Sequence, residues 1–183
     1  MPPRLCQVGR HKIKHRNILL LLVPTFATEQ YPKGLGHTVP EIELEKYNIK
    51  AHAKKCFSMI IPEVTEQMKA SSNIKSVILC GIETHACITH TTLGRALLVL
   101  NILTLLFSDL MEMGIDVHIP MDCVSSRSNF DRKVALERLK QSGAFLTSCE
   151  AVILGMAPDA AHPKFKGIQK LVMEPSHDTG LDI

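Results

Sequence analysis

The sequence is short of aromatic residues and of net charge. It contains no tryptophan, two tyrosines and six phenylalanines in 183 residues, and its formal net charge is only +3. Proteins that bind nucleic acid usually show a basic stripe, and single-strand binders add aromatic side chains to it. No such stripe occurs here, so the composition argues against a nucleic-acid partner.

The cysteines and histidines lack the spacing of a metal site or a disulfide scaffold. The six cysteines stand at positions 6, 56, 80, 87, 123 and 149, with no CxxC pair. This usage is typical of reduced thiols in an intracellular protein. His85 and His90 are five residues apart and do not share a helix face, and no zinc signature is present. We therefore predict a cytoplasmic protein without metal or cofactor.

The most apolar stretch is too short to cross a membrane. Residues 94–108 read GRALLVLNILTLLFS, and Arg95 and Asp109 enclose 13 uncharged residues. A transmembrane helix needs about 20. A helix formed by this stretch would be apolar on every side. If that helix were exposed, it would favour aggregation or binding to a partner protein.

The chain is organised around residues 77–93, VILCGIETHACITHTTL. An apolar run typical of a buried strand stops at Gly81, a short polar turn follows, and Cys87 opens a segment of helical composition. The unpaired N–H groups at a helix start stabilise a thiolate, and they can also hold an oxyanion. A cysteine nucleophile is therefore one interpretation of Cys87. The other is a small buried hydrophobic residue, the usual role of a free cysteine.

The motif GIETHAC, followed by ITHTTL, resembles the nucleophile motif of the isochorismatase-like cysteine hydrolases, in particular of the animal isochorismatase domain-containing proteins. Other segments resemble that family in the same order and cover most of residues 25–175: TEQYPKGLG at 28–36, AKKCFSM at 53–59, CVSSRS at 123–128 with the segment after it, and HPKFKGIQKLV at 162–172.

The resemblance implies an α/β fold of Rossmann type, in which helices cover both faces of a doubly wound parallel sheet in three layers. The site is then expected at the carboxyl ends of the strands. We place the domain at residues 23–175, after a poorly defined basic segment, 1–22, and before a loose tail, 176–183. Alternation of short apolar strands with helical patterns independently favours an α/β parallel sheet.

The resemblance also assigns roles to individual residues. Cys87 aligns with the nucleophile and Lys54 with the lysine that lowers the pKa of the thiol. A non-proline cis peptide is expected between Ile82 and Glu83, where it would aim backbone N–H groups at the substrate carbonyl. Thr84 belongs to the same oxyanion turn.

Two further residues are predicted to lie at the mouth of the site. Tyr31 belongs to a predicted loop over residues 30–52, and His85 follows the oxyanion turn. Plain surface exposure is an equally good interpretation of His85 and of Thr84. Farther along the chain, the resemblance implies that Asp122 and Arg127 are structural and pair within the fold.

The N-terminus departs from the family pattern. The family begins with a strand that ends in an aspartate, the general base, and continues with a helix. Here the first acidic residue is Glu29, and residues 1–28 carry five basic ones. A secretory signal, a mitochondrial presequence and a broken N-terminus are the three interpretations. We favour the third, because cleavage near Ala27 would remove part of the strand predicted over 25–28, and a mitochondrial location stays open.

The apolar stretch 94–108 is a second departure, because the family runs directly from TTL into a segment like DLMEMGIDVHI. An error in exon assignment, with unspliced sequence here and a lost exon at the start, would explain both departures. For the chain as written we expect five remaining strands, an exposed groove and poor stability, since each buried large side chain contributes about 2–3 kcal/mol.

These observations predict a hydrolase that acts on a small amide-like substrate through Cys87, with activity impaired by the missing aspartate. The alternative is a non-catalytic interaction protein of the same fold. A metal-dependent relative such as a nicotinamidase is a weaker alternative, because its ligands follow the missing aspartate. A homo-oligomer is compatible with the sequence, and the substrate is not specified by it.

Overall fold

The computed structural model describes residues 23–71, 73–94, 110–157, 159–163, 165–173 and 179–181. The basic segment 1–22 and nearly all of the apolar stretch 94–108 lie outside the described residues. The predictions made for those two segments therefore fall outside the residues that the structure describes.

Among the described residues, five parallel strands form two sheets. In the first, β1 (Ala27–Gln30) pairs with β2 (Ala51–Lys54), with Ala27 opposite Ala51. In the second, β4 (Asp116–Pro120) lies between β3 (Ser76–Ile78) and β5 (Phe145–Thr147). Helices cover both sides, which confirms the predicted α/β class with parallel strands.

Six α-helices follow the strands or connect them: α1 (Pro32–Leu35), α2 (Pro62–Ala70), α3 (Thr89–Leu93), α4 (Asn129–Gln141), α5 (Cys149–Met156) and α6 (Phe165–Val172). These are the α-helices of the described residues. Pro62 stands at the first position of α2, where its fixed φ and missing N–H are tolerated. Ser128 and Ser148 cap α4 and α5 by accepting the N–H of Asp131 and Ala151.

The predicted loop 30–52 was partly wrong. It contains α1, two short 3₁₀-helices (Pro40–Ile42 and Leu44–Tyr47) and the start of β2. The segment AHAK has little intrinsic strand preference, and parallel pairing with β1 supplies the stabilisation that the local sequence lacks. Pairing also places β1 at Ala27–Gln30, two residues later than predicted.

Strand β4 forms the centre of the main hydrophobic core. Val117 and Ile119 are about 1% exposed or less, and Leu136 and Leu139 of α4 are fully buried in the same cluster. Ile88, just after the candidate nucleophile, is also buried there. The turn that carries Cys87 is thus anchored by apolar contacts on one side.

Of the two residues predicted to pair within the fold, Asp122 does so, whereas Arg127 has no partner among the described residues. Arg127 is exposed, whereas Arg132 is buried and donates to the carbonyl oxygens of Met121 and Thr179. Asp122 accepts the N–H of Cys149 at 2.8 Å, at the start of α5. Arg132 is buried because it lies on the side of α4 that faces the core. The residues three and four positions after it in the same helix are also buried.

A large cavity separates the two sheets. It has a volume of about 1230 Å³, and both β1 and β3 line it. Within the described residues β1 pairs only with β2, and β3 only with β4. In the described part of the chain the parallel strands are therefore not continuous between β1 and β3, and both of these strands line the cavity.

We expect this interruption to make the protein unstable. An unfilled gap removes apolar contacts from both sheets and leaves strand edges without partners. The ligand-free protein should melt below about 60 °C in differential scanning calorimetry. A melting temperature clearly above that value would contradict this expectation.

The cap of α4 offers a local test of the fold. Ser128→Ala removes the oxygen that accepts the N–H of Asp131 at 3.1 Å, so the free energy of unfolding should fall by about 1 kcal/mol. Urea denaturation measures the change. Lys140→Ala, at an exposed position of the same helix, is the control and should change stability by no more than about 0.5 kcal/mol; equal effects of the two would refute the capping role.

Candidate active site

Cys87 lies on a turn that is fixed by hydrogen bonds to the segment after β4. The N–H of Gly81 donates to the carbonyl of Cys123 at 3.1 Å, and Gly81 accepts the N–H of Ser125 at 3.1 Å. Thr84 donates its N–H to the carbonyl of Ser125 at 2.8 Å. The chain then enters a single π-helical turn, Thr84–Ile88, which leads into α3. Cys87 is therefore held in a π-turn rather than in the first turn of a regular helix.

The predicted cis peptide between Ile82 and Glu83 was wrong, because every peptide bond among the described residues is trans. The chain reverses at Glu83 instead, which adopts a left-handed backbone conformation with φ 61° and ψ 61°. Its carbonyl accepts the N–H groups of Ala86 and Ile88. Those two N–H groups are therefore already used inside the turn.

Lys54 is the charged group nearest to the Cys87 sulfur. It ends β2 and is 6% exposed, and its Nζ lies 3.6 Å from Cys87 Sγ. The ammonium also donates to Gln30 Oε1 at 2.6 Å and to the carbonyl oxygens of Cys56 and Phe57 at 3.0 and 2.9 Å. These acceptors hold Lys54 in place at the end of the cavity, which Cys87 also lines.

Burial dominates the electrostatics of the thiol. It raises the pKa of Cys87 above its ordinary value, and the Lys54 ammonium opposes that rise. The carboxylate of Glu83 adds to the rise. Lys54 thus lowers the pKa of Cys87, as predicted. The net shift of that pKa is nevertheless upward, which corrects the expectation that the thiol is more acidic than usual.

The structure brings together three of the predicted site residues at the cavity: Cys87, Lys54 and Ile82, which is 54% exposed. Thr84 is fully buried, and its hydroxyl donates to the carbonyl of Ser125 at 2.9 Å. The side chain of Thr84 therefore stabilises the turn by binding it to Ser125.

Four predicted residues, Thr84, Glu83, His85 and Tyr31, lie outside the set of described residues that line the cavity. His85 Nε2 lies 3.1 Å from a carboxylate oxygen of Glu83, and His85 Nδ1 lies 2.9 Å from Ser126 Oγ. Tyr31 is 48% exposed and packs beside Gly34 in α1. The side chains of Glu83, His85 and Tyr31 lie on the surface of the two loops that flank the site.

Sequence reasoning missed Gln30 and Thr91. Gln30 contacts Lys54 and the residue after it. Its Oε1 accepts from the Lys54 ammonium, and its amide N–H donates to the carbonyl of Lys55 at 2.7 Å. Thr91 donates to the carbonyl of Cys87 at 2.6 Å and accepts the N–H of Met59 at 2.9 Å. Gln30 belongs to the motif TEQ and Thr91 to the motif THTTL. Their presence in those motifs is the sequence feature that could have indicated a role in the site.

Neither a carboxylate nor a metal centre completes this site in the described part of the chain. There, the only hydrogen-bond partner of Cys87 Sγ is Lys54. The described residues contain no group of three or more histidine, cysteine, aspartate or glutamate side chains that could hold a metal ion. None of their helices is long and apolar enough to span a membrane.

Comparison with known proteins places this geometry in a family. The isochorismatase domain matches residues 21–98. Isochorismatase domain-containing protein 2 of Xenopus laevis is 47% identical over 161 residues, which are 88% of this chain and 70% of that protein. The human protein of the same name is 45% identical over 179 residues, 98% of this chain and 78% of its own length. The chain belongs to the isochorismatase-domain family.

Solved structures agree with this assignment. The MAR1 ribonuclease from Caenorhabditis elegans superposes with a TM-score of 0.80 at 38% identity, over 96% of this chain and 85% of that one. YcaC from Escherichia coli, described as an octameric hydrolase of unknown specificity, gives 0.68 at 22% identity, over 87% and 74%. At that identity the second likeness shows the fold alone. The isochorismatase-like fold predicted from the sequence is thus confirmed.

The raised pKa predicts how Cys87 reacts in this isochorismatase-domain protein. Alkylation by iodoacetamide should be slow at pH 7 and should accelerate with a midpoint above about 8.5, the value of an unperturbed thiol. Lys54→Met should move that midpoint higher, because it removes both the charge and the hydrogen bond by which Lys54 lowers the pKa of Cys87.

The measurement is peptide mass spectrometry of Cys87 after timed alkylation at several pH values. Lys55→Met is the matched control, because Lys55 is the exposed neighbour of Lys54 and its loss should leave the midpoint unchanged. Rapid alkylation at pH 7 in the unmodified protein would show that burial does not control the thiol.

Proposed function

We propose that this protein is a slow cysteine-dependent hydrolase of a small amide-like or related substrate. The observation that carries the proposal is the 3.6 Å approach of Lys54 Nζ to Cys87 Sγ at the end of a cavity of about 1230 Å³. A nucleophile beside a fixed cation, both open to an apolar cavity, is the arrangement that covalent acyl transfer requires.

In the proposed reaction the Cys87 sulfur attacks the substrate carbonyl and forms a thioester as the carbon–nitrogen bond breaks. The leaving amine takes a proton, and a water molecule then releases the acid and restores the thiol. Negative charge on the carbonyl oxygen develops close to the Lys54 ammonium, which stabilises it electrostatically. Gln30 acts as a positioning residue, because it holds that ammonium at 2.6 Å.

The rate is limited by removal of the thiol proton. The family places an aspartate as the base, and no described carboxylate hydrogen-bonds to Cys87 Sγ. With its pKa raised by burial, Cys87 is mostly a neutral thiol at pH 7. Removal of one member of such a catalytic unit commonly lowers rates by orders of magnitude, which is why we propose slow turnover.

A non-catalytic interaction protein is the second candidate. The raised pKa of Cys87 and the lack of a carboxylate partner favour it. Ribonuclease activity, named for the Caenorhabditis elegans neighbour, is a third activity to be distinguished by experiment.

An activated ester tests the proposal without knowledge of the natural substrate. With p-nitrophenyl acetate the protein should release p-nitrophenol slowly and acquire an acetyl group on Cys87, detected by mass spectrometry. Cys87→Ser should abolish both signals, and Lys54→Met should lower the rate by about 10²-fold or more, as for the loss of an oxyanion donor.

The control is again Lys55→Met, which should retain the rate of the unmodified protein. Acetylation without release of acetate over many turnovers would favour the non-catalytic protein. Cleavage of a labelled RNA that survives Cys87→Ser would favour a nuclease and count against the cysteine mechanism.

A further inference from the structure

Three cysteine thiols that the proposed hydrolase does not use lie together beside the cavity. Cys123 and Cys149 are 0% and 3% exposed and belong to a second, smaller hydrophobic core. Cys80 packs against that core, and of these three cysteines it is the one that also lines the cavity. All three are free thiols. A small oxidant that enters the cavity therefore reaches Cys80 first.

The backbone holds Cys80 and Cys123 at the separation that a disulfide needs. Gly81 and Val124 form a parallel bridge, and the N–H of Gly81 donates to the carbonyl of Cys123 at 3.1 Å. Cys80 and Cys123 each stand one residue before that bridge, and residues in register on neighbouring parallel segments lie about 5 Å apart. A disulfide needs α-carbons about 4.4–6.8 Å apart. The two segments are thus already close enough for the bond to form.

The thiol of Cys123 lies between two other thiols. It forms side-chain hydrogen bonds with Cys149 and with Cys80, and its Sγ donates to Asp122 Oδ1 at 3.9 Å. The bond with Cys149 lowers the pKa of Cys123, whereas the bond with Cys80 and burial raise that pKa, and the net shift is strongly upward. A buried neutral thiol is inert towards oxidants, so Cys123 is protected from direct oxidation while it stays in contact with Cys80.

We propose that Cys80 and Cys123 are a redox-active pair, which hydrogen peroxide converts into a disulfide. An accessible thiol with a second thiol beside it is the arrangement of redox-sensing cysteines. Cys80 is the thiol that peroxide attacks, and Cys123 is the thiol that resolves the product.

The reaction takes place in two steps. The sulfur of Cys80 bonds to one peroxide oxygen, the O–O bond breaks, and Cys80 becomes a sulfenic acid while the other oxygen leaves as water. The sulfur of Cys123 then bonds to that of Cys80 and displaces the hydroxyl group, which takes the Cys123 proton and leaves as a second water. Asp122 Oδ1 already accepts a hydrogen bond from this thiol and is placed to carry the proton. Each sulfur loses one electron, and the peroxide gains two.

The disulfide would join the two segments that hold the turn of Cys87. Gly81 follows Cys80 directly, and its N–H and carbonyl form hydrogen bonds with Cys123 and Ser125. The proposed pair uses neither Cys87 nor Lys54, so it does not rest on the proposed hydrolase.

The test is treatment of the full 183-residue chain with hydrogen peroxide, followed by blocking of free thiols with N-ethylmaleimide, digestion without reductant and mass spectrometry. Cys87→Ser serves as the background, because Cys87 lines the same cavity and would compete for peroxide. A peptide pair joined through Cys80 and Cys123 should appear, and dithiothreitol should abolish it.

Two variants in this background separate the two roles. Cys123→Ser should lose the disulfide and leave Cys80 as a sulfenic acid, which dimedone labels. Cys80→Ser should lose both the disulfide and the label at that position. Cys56→Ser is the matched control, because Cys56 is an exposed free thiol, and it should retain the disulfide. Circular dichroism verifies that the variants fold.

Peptide mapping of the Cys87→Ser protein decides the matter even if a variant at the buried Cys123 fails to fold. Absence of the Cys80–Cys123 peptide pair after peroxide treatment would overturn the proposal. A disulfide between Cys123 and Cys149 in its place would also overturn it, because Cys80 would then not be the thiol that reacts. These outcomes are measured without any ester or amide substrate, so they are distinct from a failure of the proposed hydrolase.

Discussion

The buried ammonium of Lys54 is the contact on which the arrangement of the site depends. Lys54 and Gln30 end the two strands of one sheet, whereas Cys87 follows the first strand of the other. The 3.6 Å contact between Nζ and Sγ therefore joins two sheets between which the described residues form no strand pairing. A charge that is 6% exposed must be satisfied by hydrogen bonds, and Gln30 with two loop carbonyls provides them. The same bonds fix the cation beside the thiol.

Burial has two opposing effects on the pKa of Cys87. It strengthens the attraction between Lys54 and a thiolate, because screening by water is reduced. It also removes the solvation of the thiolate, and for Cys87 this second effect is larger. Among the described residues, the ammonium of Lys54 therefore lies beside the sulfur, and no carboxylate forms a hydrogen bond with Cys87 Sγ.

The candidate nucleophile, the lysine and the class of fold could be predicted from the sequence, because they are encoded in contiguous motifs. The strand, turn and helix around Cys87 follow from an apolar run, Gly81 and the polar residues after it. The cap at Ser128 is equally local. In contrast, β2 and the burial of Arg132 were not predicted, since a strand with the composition AHAK and a buried arginine are stabilised by partners distant in sequence. The trans peptide at Glu83 was also beyond prediction from the motif.

The sequence by itself determined the family, the parallel α/β order and which residues could carry chemistry, because hydrophobic periodicity and motif spacing are properties of neighbouring residues. Only the tertiary structure decided that the strands form two sheets with a cavity between β1 and β3, and that Gln30 holds Lys54. It also decided the balance of burial against charge at Cys87. Each of these depends on distances between segments far apart in the chain, and the free energy of a buried charge is set by those distances.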